Sequence, residues 1–453
     1  MYTGFCKNTP NLYKAAEQIP VRRLCCIKIF IMAFFSFGLS HYAFAQYSAA
    51  AVRSAWDSYN SHFKIADGKG GNYFAFKQNV TNRSSGFWED AEQIELAEDY
   101  FDYTLRSGNI KDRFEIANEI NQLCIGFVNK HGLNWASNRF NDDLNWATIA
   151  FIRAYKATWD AGMPNISWLR DAEANFNTVY NRASTGNGGL AQIQPPSPMP
   201  ANWKPNLDAP ANFTFVIAGY LIYECNGDIN YKKKADGVYK WSVNNLYTTS
   251  SHNGGPCVPP NSTLTCGKVI DSNPGKKYTN GTWQNLPNTL RVGPSDFTYN
   301  YGIAIKAALL VGGHDNLVIA QNIANYLMFN FNNKVTPANH TVYAGTYNYN
   351  GRTWNILPNY GQGGKNNGGY NGIAFRGIGY GISVGALNAT TIQWARANVQ
   401  AAWNNRNNDN LIWNTWIQDS SGKTPDSGSL FSWDCSAALA GLLNIPVALQ
   451  NLH

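Results

Sequence analysis

Asn141-Asp142-Asp143-Leu144-Asn145-Trp146 opens the stretch whose reading decides how this chain folds. After it, apolar residues return at helical spacing (Leu144, Ala147, Ala150, Phe151, Ala154). Residues 142–158 therefore read as an amphipathic helix with one face on a core. The same period recurs at 47–65, 88–104, 110–130, 167–182, 207–224, 231–246, 296–311, 317–331, 375–387, 390–404 and 432–443. Alternating β-branched runs are few. Turns of small residues join several of these segments: Asp160-Ala161-Gly162, Cys225-Asn226-Gly227-Asp228 and Gly312-Gly313-His314-Asp315. Gly ends one helix and Asp or Asn caps the next. About six helical hairpins result, and such a series forms either an open solenoid or a closed toroid. The absence of a repeat consensus and the unequal loops favour one closed, all-α domain.

Two stretches, 247–295 and 332–372, read as long loops rich in Asn and Gly. Loops of this length wall or cover a binding site when they are ordered. Their aromatics (Trp283, Tyr343, Tyr347, Tyr349, Trp354, Tyr360) argue against disorder and suit either stacking on sugar rings or pinning the loops to the body.

The N-terminus reads as an export signal over residues 1–45. Lys7, Lys14, Arg22, Arg23 and Lys28 form a basic leader with Glu17 as its one acid. Residues 29–39 are apolar but short for a membrane span, and Ala43-Phe44-Ala45 fits a cleavage site. The mature chain, from residue 46, then carries +3 instead of +7, since five bases and one acid leave with the leader. A retained membrane anchor is the rival reading. Export predicts a secreted, periplasmic or surface protein and an oxidising compartment. Five cysteines remain. Cys257 and Cys266 flank a short polar loop and are expected to pair, and Cys124, Cys225 and Cys435 sit in apolar runs as buried thiols. A dispersed +3 does not suit nucleic acid. Scattered histidines give no metal spacing, so neither a metal nor a cofactor is expected.

The pair Asp142-Asp143 carries the chemistry. An Asp ahead of a helix is ordinarily just a cap. Here the helix is anchored on the core, and Trp135, Phe140 and Trp146 crowd the pair. Two carboxylates at close range push one pKa upward, while a helix N-terminus favours the other as an anion. That is the equipment for cleaving a glycosidic bond, with one group donating a proton and the other attacking or stabilising.

The heptapeptide from Phe140 to Trp146 resembles the N-D-D-x-x-W signature of glycoside hydrolase family 76, the endo-α-1,6-mannanases. Phe87-Trp88, Val269-Ile270-Asp271, Phe297-Thr298-Tyr299-Asn300-Tyr301-Gly302, Phe375-Arg376-Gly377 and Trp403-Asn404 resemble later motifs of that family, in order. The resemblance implies an (α/α)6 barrel and a retaining mechanism with Asp142 as nucleophile and Asp143 as general acid/base. It also implies a cleft drawn from Trp88, Trp146, Asp271, Tyr299, Asn300, Phe375 and Arg376, and a monomer acting on α-mannan. The chain departs from the family pattern at Gly188-Gly189-Leu190, Tyr301 and Arg376.

Those departures motivate one rival, a non-catalytic mannan-binding protein. A transglycosylase acting on α-1,6-mannosyl chains is a second. A lyase or uronide hydrolase on a similar barrel would need a more basic site for its acidic sugar. Gly381-Ile382-Ser383-Val384-Gly385 matches a nucleophile elbow, but the alternating strands of that fold are absent from the reading and the only later His is His453.

Overall fold

The computed structural model describes residues 47–446 apart from 187, 196–204, 250–254, 258–262, 274–275, 280–281, 286–296, 332–342, 359–367, 419 and 421–428. The expected leader and Tyr360 lie outside the described residues. Contacts divide the chain into units 1–46 and 47–453.

The described residues contain twelve helices: α1 (Ala49–Phe63), α2 (Phe87–Ser107), α3 (Ile110–His131), α4 (Asn141–Asp160), α5 (Ile166–Ala183), α6 (Ala209–Asn226), α7 (Ile229–Leu246), α8 (Thr298–Val311), α9 (His314–Phe329), α10 (Tyr370–Ser383), α11 (Ala389–Asn404) and α12 (Ser432–Asn444). The even-numbered helices close a ring, each packing on the next and α12 returning to α2. The odd-numbered helices pack outside it against their sequence neighbours. This is an (α/α)6 barrel. Its inner helices are buried on nearly every side, as in α6 from Ala209 to Ile222, which is the signature of a helix enclosed by others. One outer helix separates each inner pair, so the six inner helices run the same way. Their N-termini gather at one mouth.

Most helix starts shift by one to five residues from the sequence reading, and two of the shifts have a clear local cause. Helix α6 begins at Ala209 rather than 207, because Leu207 and Asp208 pair in extended form with Asn273 and Ser272. Asp208 then caps α6, accepting from Ala211 N at 3.0 Å. Helix α10 begins at Tyr370 rather than 375. Its glycines weaken the helical signal, yet they are what lets α8 and α10 touch. A Cβ on Gly377 would lie 2.0 Å from Gly302 O, and one on Gly302 would lie 2.4 Å from Ile373 O.

The stretch expected as loop 332–372 contains a hairpin, Gly345–Tyr349 with Arg352–Ile356. Asn350 (φ 51°) and Gly351 (φ 76°) form its tight left-handed turn. Its aromatics pin it to the body: Trp354 and Tyr349 are buried. Stretch 247–295 holds short antiparallel pairs, including Lys276–Thr279 with Thr282–Asn285. Cys257 and Cys266 form the expected disulfide, with Cα atoms 5.2 Å apart. Cys124, Cys225 and Cys435 are buried in the core, as expected. Ser383 of the elbow-like motif ends α10, where its hydroxyl donates to Tyr380 O at 2.8 Å.

Candidate active site

Asp142 and Asp143 lie in the first turn of α4, at the mouth where the inner helices begin. The loop before them is tied down by Arg182 of α5. Its guanidinium donates to Asn141 Oδ1 (2.6 Å), Asn138 O (2.8 Å) and Ala136 O (2.9 Å). Asn141 Nδ2 donates in turn to Ala191 O at 2.8 Å. The start of α4 is therefore fixed from outside as well as from the core.

Both carboxylates open into a cleft of about 290 Å3. Trp88, Trp146, Tyr299 and Tyr370 wall it, with Gln192 and Pro210 on one side and the half-exposed Phe140 at the rim. These rings brace one another. Trp88 lies 6.4 Å from Trp146, 6.2 Å from Tyr370 and 5.0 Å from Trp433, and Tyr370 lies 4.3 Å from Tyr299. Such a wall presents apolar faces to a sugar ring and hydroxyls at its edge.

Burial raises both carboxyl pKa values. Asp143 is pushed up to about 6, with Asn138 Nδ2, donating at 2.9 Å, pulling the other way. Asp142 is raised further, by burial first and then by Asp143 and Asp271. Its Oδ1 is buried without a hydrogen-bond partner. Asp208 is also raised by burial and by Asp142 and Asp271. The extended pairing that starts α6 brings these groups together: Ala209 N donates to Asp271 O at 2.8 Å, beside Asp208. Burial thus favours the protonated form of both carboxyls, and the neighbouring Asp143 charge adds to this at Asp142.

The sequence-expected binding residues divide. Trp88, Trp146 and Tyr299 border the cleft. Asp271 and Asn300 stand behind its wall, with Asn300 Nδ2 donating to Asp271 Oδ1 at 2.8 Å. Phe375 and Arg376 do not border it. Phe375 is fully buried against Trp394 and Trp416. Arg376 is buried and meets Glu92 (2.6 Å) and Asp99 (2.8 Å) of α2. They lie near the middle of α10, below the mouth, and burial decided their partners. Sequence reasoning missed Tyr370, Gln192, Asn138, Arg182 and Asp208. An Asx cap signal was present at Asp208; the others carry no local motif.

Among the described residues no group of three or more His, Cys, Asp or Glu is placed to hold a metal. None of the described helices is long and apolar enough to cross a membrane.

The family model described as Glycosyl hydrolase family 76 matches residues 47–256, the part that carries Trp88, the carboxylate pair and Asp208. Residues 47–256 belong to glycosyl hydrolase family 76. Solved structures similar to the whole barrel agree in fold. The GH76A α-1,6-mannanase of Salegentibacter sp. HEL1_6 is 18% identical, with TM-score 0.62, covering 87% of this chain and 98% of its own. An inactive variant of that enzyme, substituted at two adjacent aspartates, was solved with α-1,6-mannotriose. Dfg5 from Chaetomium thermophilum, solved with glucosamine, is 15% identical with TM-score 0.54, covering 86% of this chain and 89% of its own. Among curated proteins no relative matches the chain.

Proposed function

We propose that this family 76 protein is an exported, retaining endo-α-1,6-mannanase that cuts within the backbone of α-mannan. The observation that carries the reading is the placement of Asp142 and Asp143 side by side on an inner-helix N-terminus, facing an aromatic cleft. Asp143 gives its proton to the leaving glycosidic oxygen as Asp142 attacks the anomeric carbon. A glycosyl–Asp142 ester and a free chain end result. Water then attacks the same carbon, giving its proton to Asp143 and releasing Asp142. For the first step the proton must sit on Asp143. Burial disfavours the charged form of both carboxyls. Positive charge developing at the anomeric carbon in the oxocarbenium-like transition state favours the ionised Asp142 and draws the proton to Asp143.

The test is product analysis on linear α-1,6-mannan. The wild type is expected to release shorter chains with the anomeric configuration retained. Asp142→Asn is expected to lose about 10³-fold or more in kcat. Asp143→Ala is expected to keep activity on mannosides with good leaving groups and to be rescued by azide. Full turnover by Asp142→Asn, or inverted products, would refute the reading. Lengthened chains would mark a transglycosylase instead.

A further inference from the structure

The carboxylate pair has a polar neighbour in the cleft that the reaction itself does not use. Gln192 lines the cleft together with Pro210. Its backbone holds the start of α4: Asn141 N donates to Gln192 O at 2.7 Å, and Phe140 pairs in extended form with Ile193. Gln192 is thus one hydrogen bond away from the residue that precedes Asp142.

Asn206 fixes Gln192 from behind. Gln192 N donates to Asn206 O at 2.8 Å, and Asn206 Nδ2 donates to Gln192 Oε1 at 2.9 Å. Asn206 is itself buried. Turning the Gln192 amide over would set its NH2 group against that of Asn206. With Oε1 engaged, Nε2 has two hydrogens to donate and no partner among the described residues. Gln192 is half-buried, and its Nε2 is not sealed from solvent as the unpaired Asp142 Oδ1 is. An amide already held in one orientation loses little rotamer freedom when a ligand meets it. Its free side can meet only an acceptor, and sugar hydroxyls are acceptors as well as donors. Being neutral, it adds no charge beside the carboxylates.

We propose that Gln192 is a specificity-determining residue of the cleft, whose Nε2 donates to a hydroxyl oxygen of the mannose unit bound over Asp142 and Asp143. This deepens the mannanase reading and rests on it for the identity of the sugar.

Two variants test the role. Gln192→Glu keeps the side-chain length and an oxygen for Asn206 but puts an acceptor where the donor was. Gln192→Leu removes the amide without adding charge. Each is expected to lower kcat/KM on α-1,6-mannotetraose about tenfold or more. The deciding readout is a set of monodeoxy mannotetraoses lacking the 2-, 3- or 4-hydroxyl of an internal unit. One of these losses is expected to cost the wild type about tenfold and to cost Gln192→Leu nothing further, because the bond it removes is already gone. A merely structural role would slow the variants on every substrate alike and leave the pattern of deoxy penalties unchanged. That pattern, or wild-type activity in both variants, would overturn the proposal while leaving the mannanase reading in place. Full activity in Gln192→Glu alone would show that an acceptor faces the sugar, and would also overturn it. Should the wild type cleave no mannan, the mannanase reading falls. The same deoxy set titrated for binding then decides on Gln192 by the same coupling.

Discussion

Asn138 Nδ2 donates to Asp143 Oδ2 at 2.9 Å, whereas the adjacent Asp142 has a buried oxygen that nothing in the protein meets. The Asn138 side chain thus donates to one carboxyl of the pair and not to the other. A hydrogen bond to the charged form lowers a pKa, so Asn138 holds Asp143 down against the burial that lifts it to about 6. Asn138→Ala removes that donor and is expected to raise the Asp143 pKa. As Asp143 must be protonated for the first step, the basic limb of kcat/KM should move to higher pH. A limb that stays put or moves to lower pH would show that Asp143 is not the acid.

The ring wall should act on binding more than on chemistry. Trp88 touches Trp146, Tyr370 and Trp433 and fronts the cleft. Trp88→Ala is expected to raise KM for mannan about tenfold, with kcat falling less. A fall in kcat alone would move Trp88 from substrate positioning to support of the carboxylates.

Arg376 belongs to stability. It is 7% exposed and joins Glu92 and Asp99, which are more deeply buried still. Arg376→Met leaves Glu92 without its cation and Asp99 with Arg153 alone (2.9 Å), and should cost about 3–5 kcal/mol, read as a lower midpoint in urea. Any folded fraction should retain the wild-type KM. A stable variant with raised KM would restore Arg376 to the cleft.

Several buried acids titrate above their ordinary values, with burial the leading cause: Asp143 at about 6, Glu89 at about 7 and Glu92 at about 8, with Asp142 and Asp208 also raised. A folded pKa above the unfolded one means stability that is full below the unfolded pKa, near 4, and is lost as pH rises through the folded value. Lys306, held down to about 8 by burial, is charged in both states below that pH and adds no slope there. The melting temperature should therefore fall between pH 5 and pH 8. Asp208→Asn keeps the helix cap and should flatten the fall. A melting temperature that rises over this interval would contradict these assignments.

Local sequence by itself determined the twelve helices, because a 3.6-residue apolar period and Gly/Asp punctuation are written into neighbouring residues. It also determined the Asp142-Asp143 dyad and the Cys257–Cys266 pairing, which depend on residues close in the chain. Only the tertiary structure decided that Phe375 packs against Trp394 and Trp416, that Arg376 meets Glu92 and Asp99, and that Tyr370 takes a place in the cleft. It alone brings Asp208 to Asp271 across 63 residues of chain. Those outcomes depend on which helix faces meet when six hairpins close into a ring, and burial and charge pairing between distant segments leave no periodic trace in the chain.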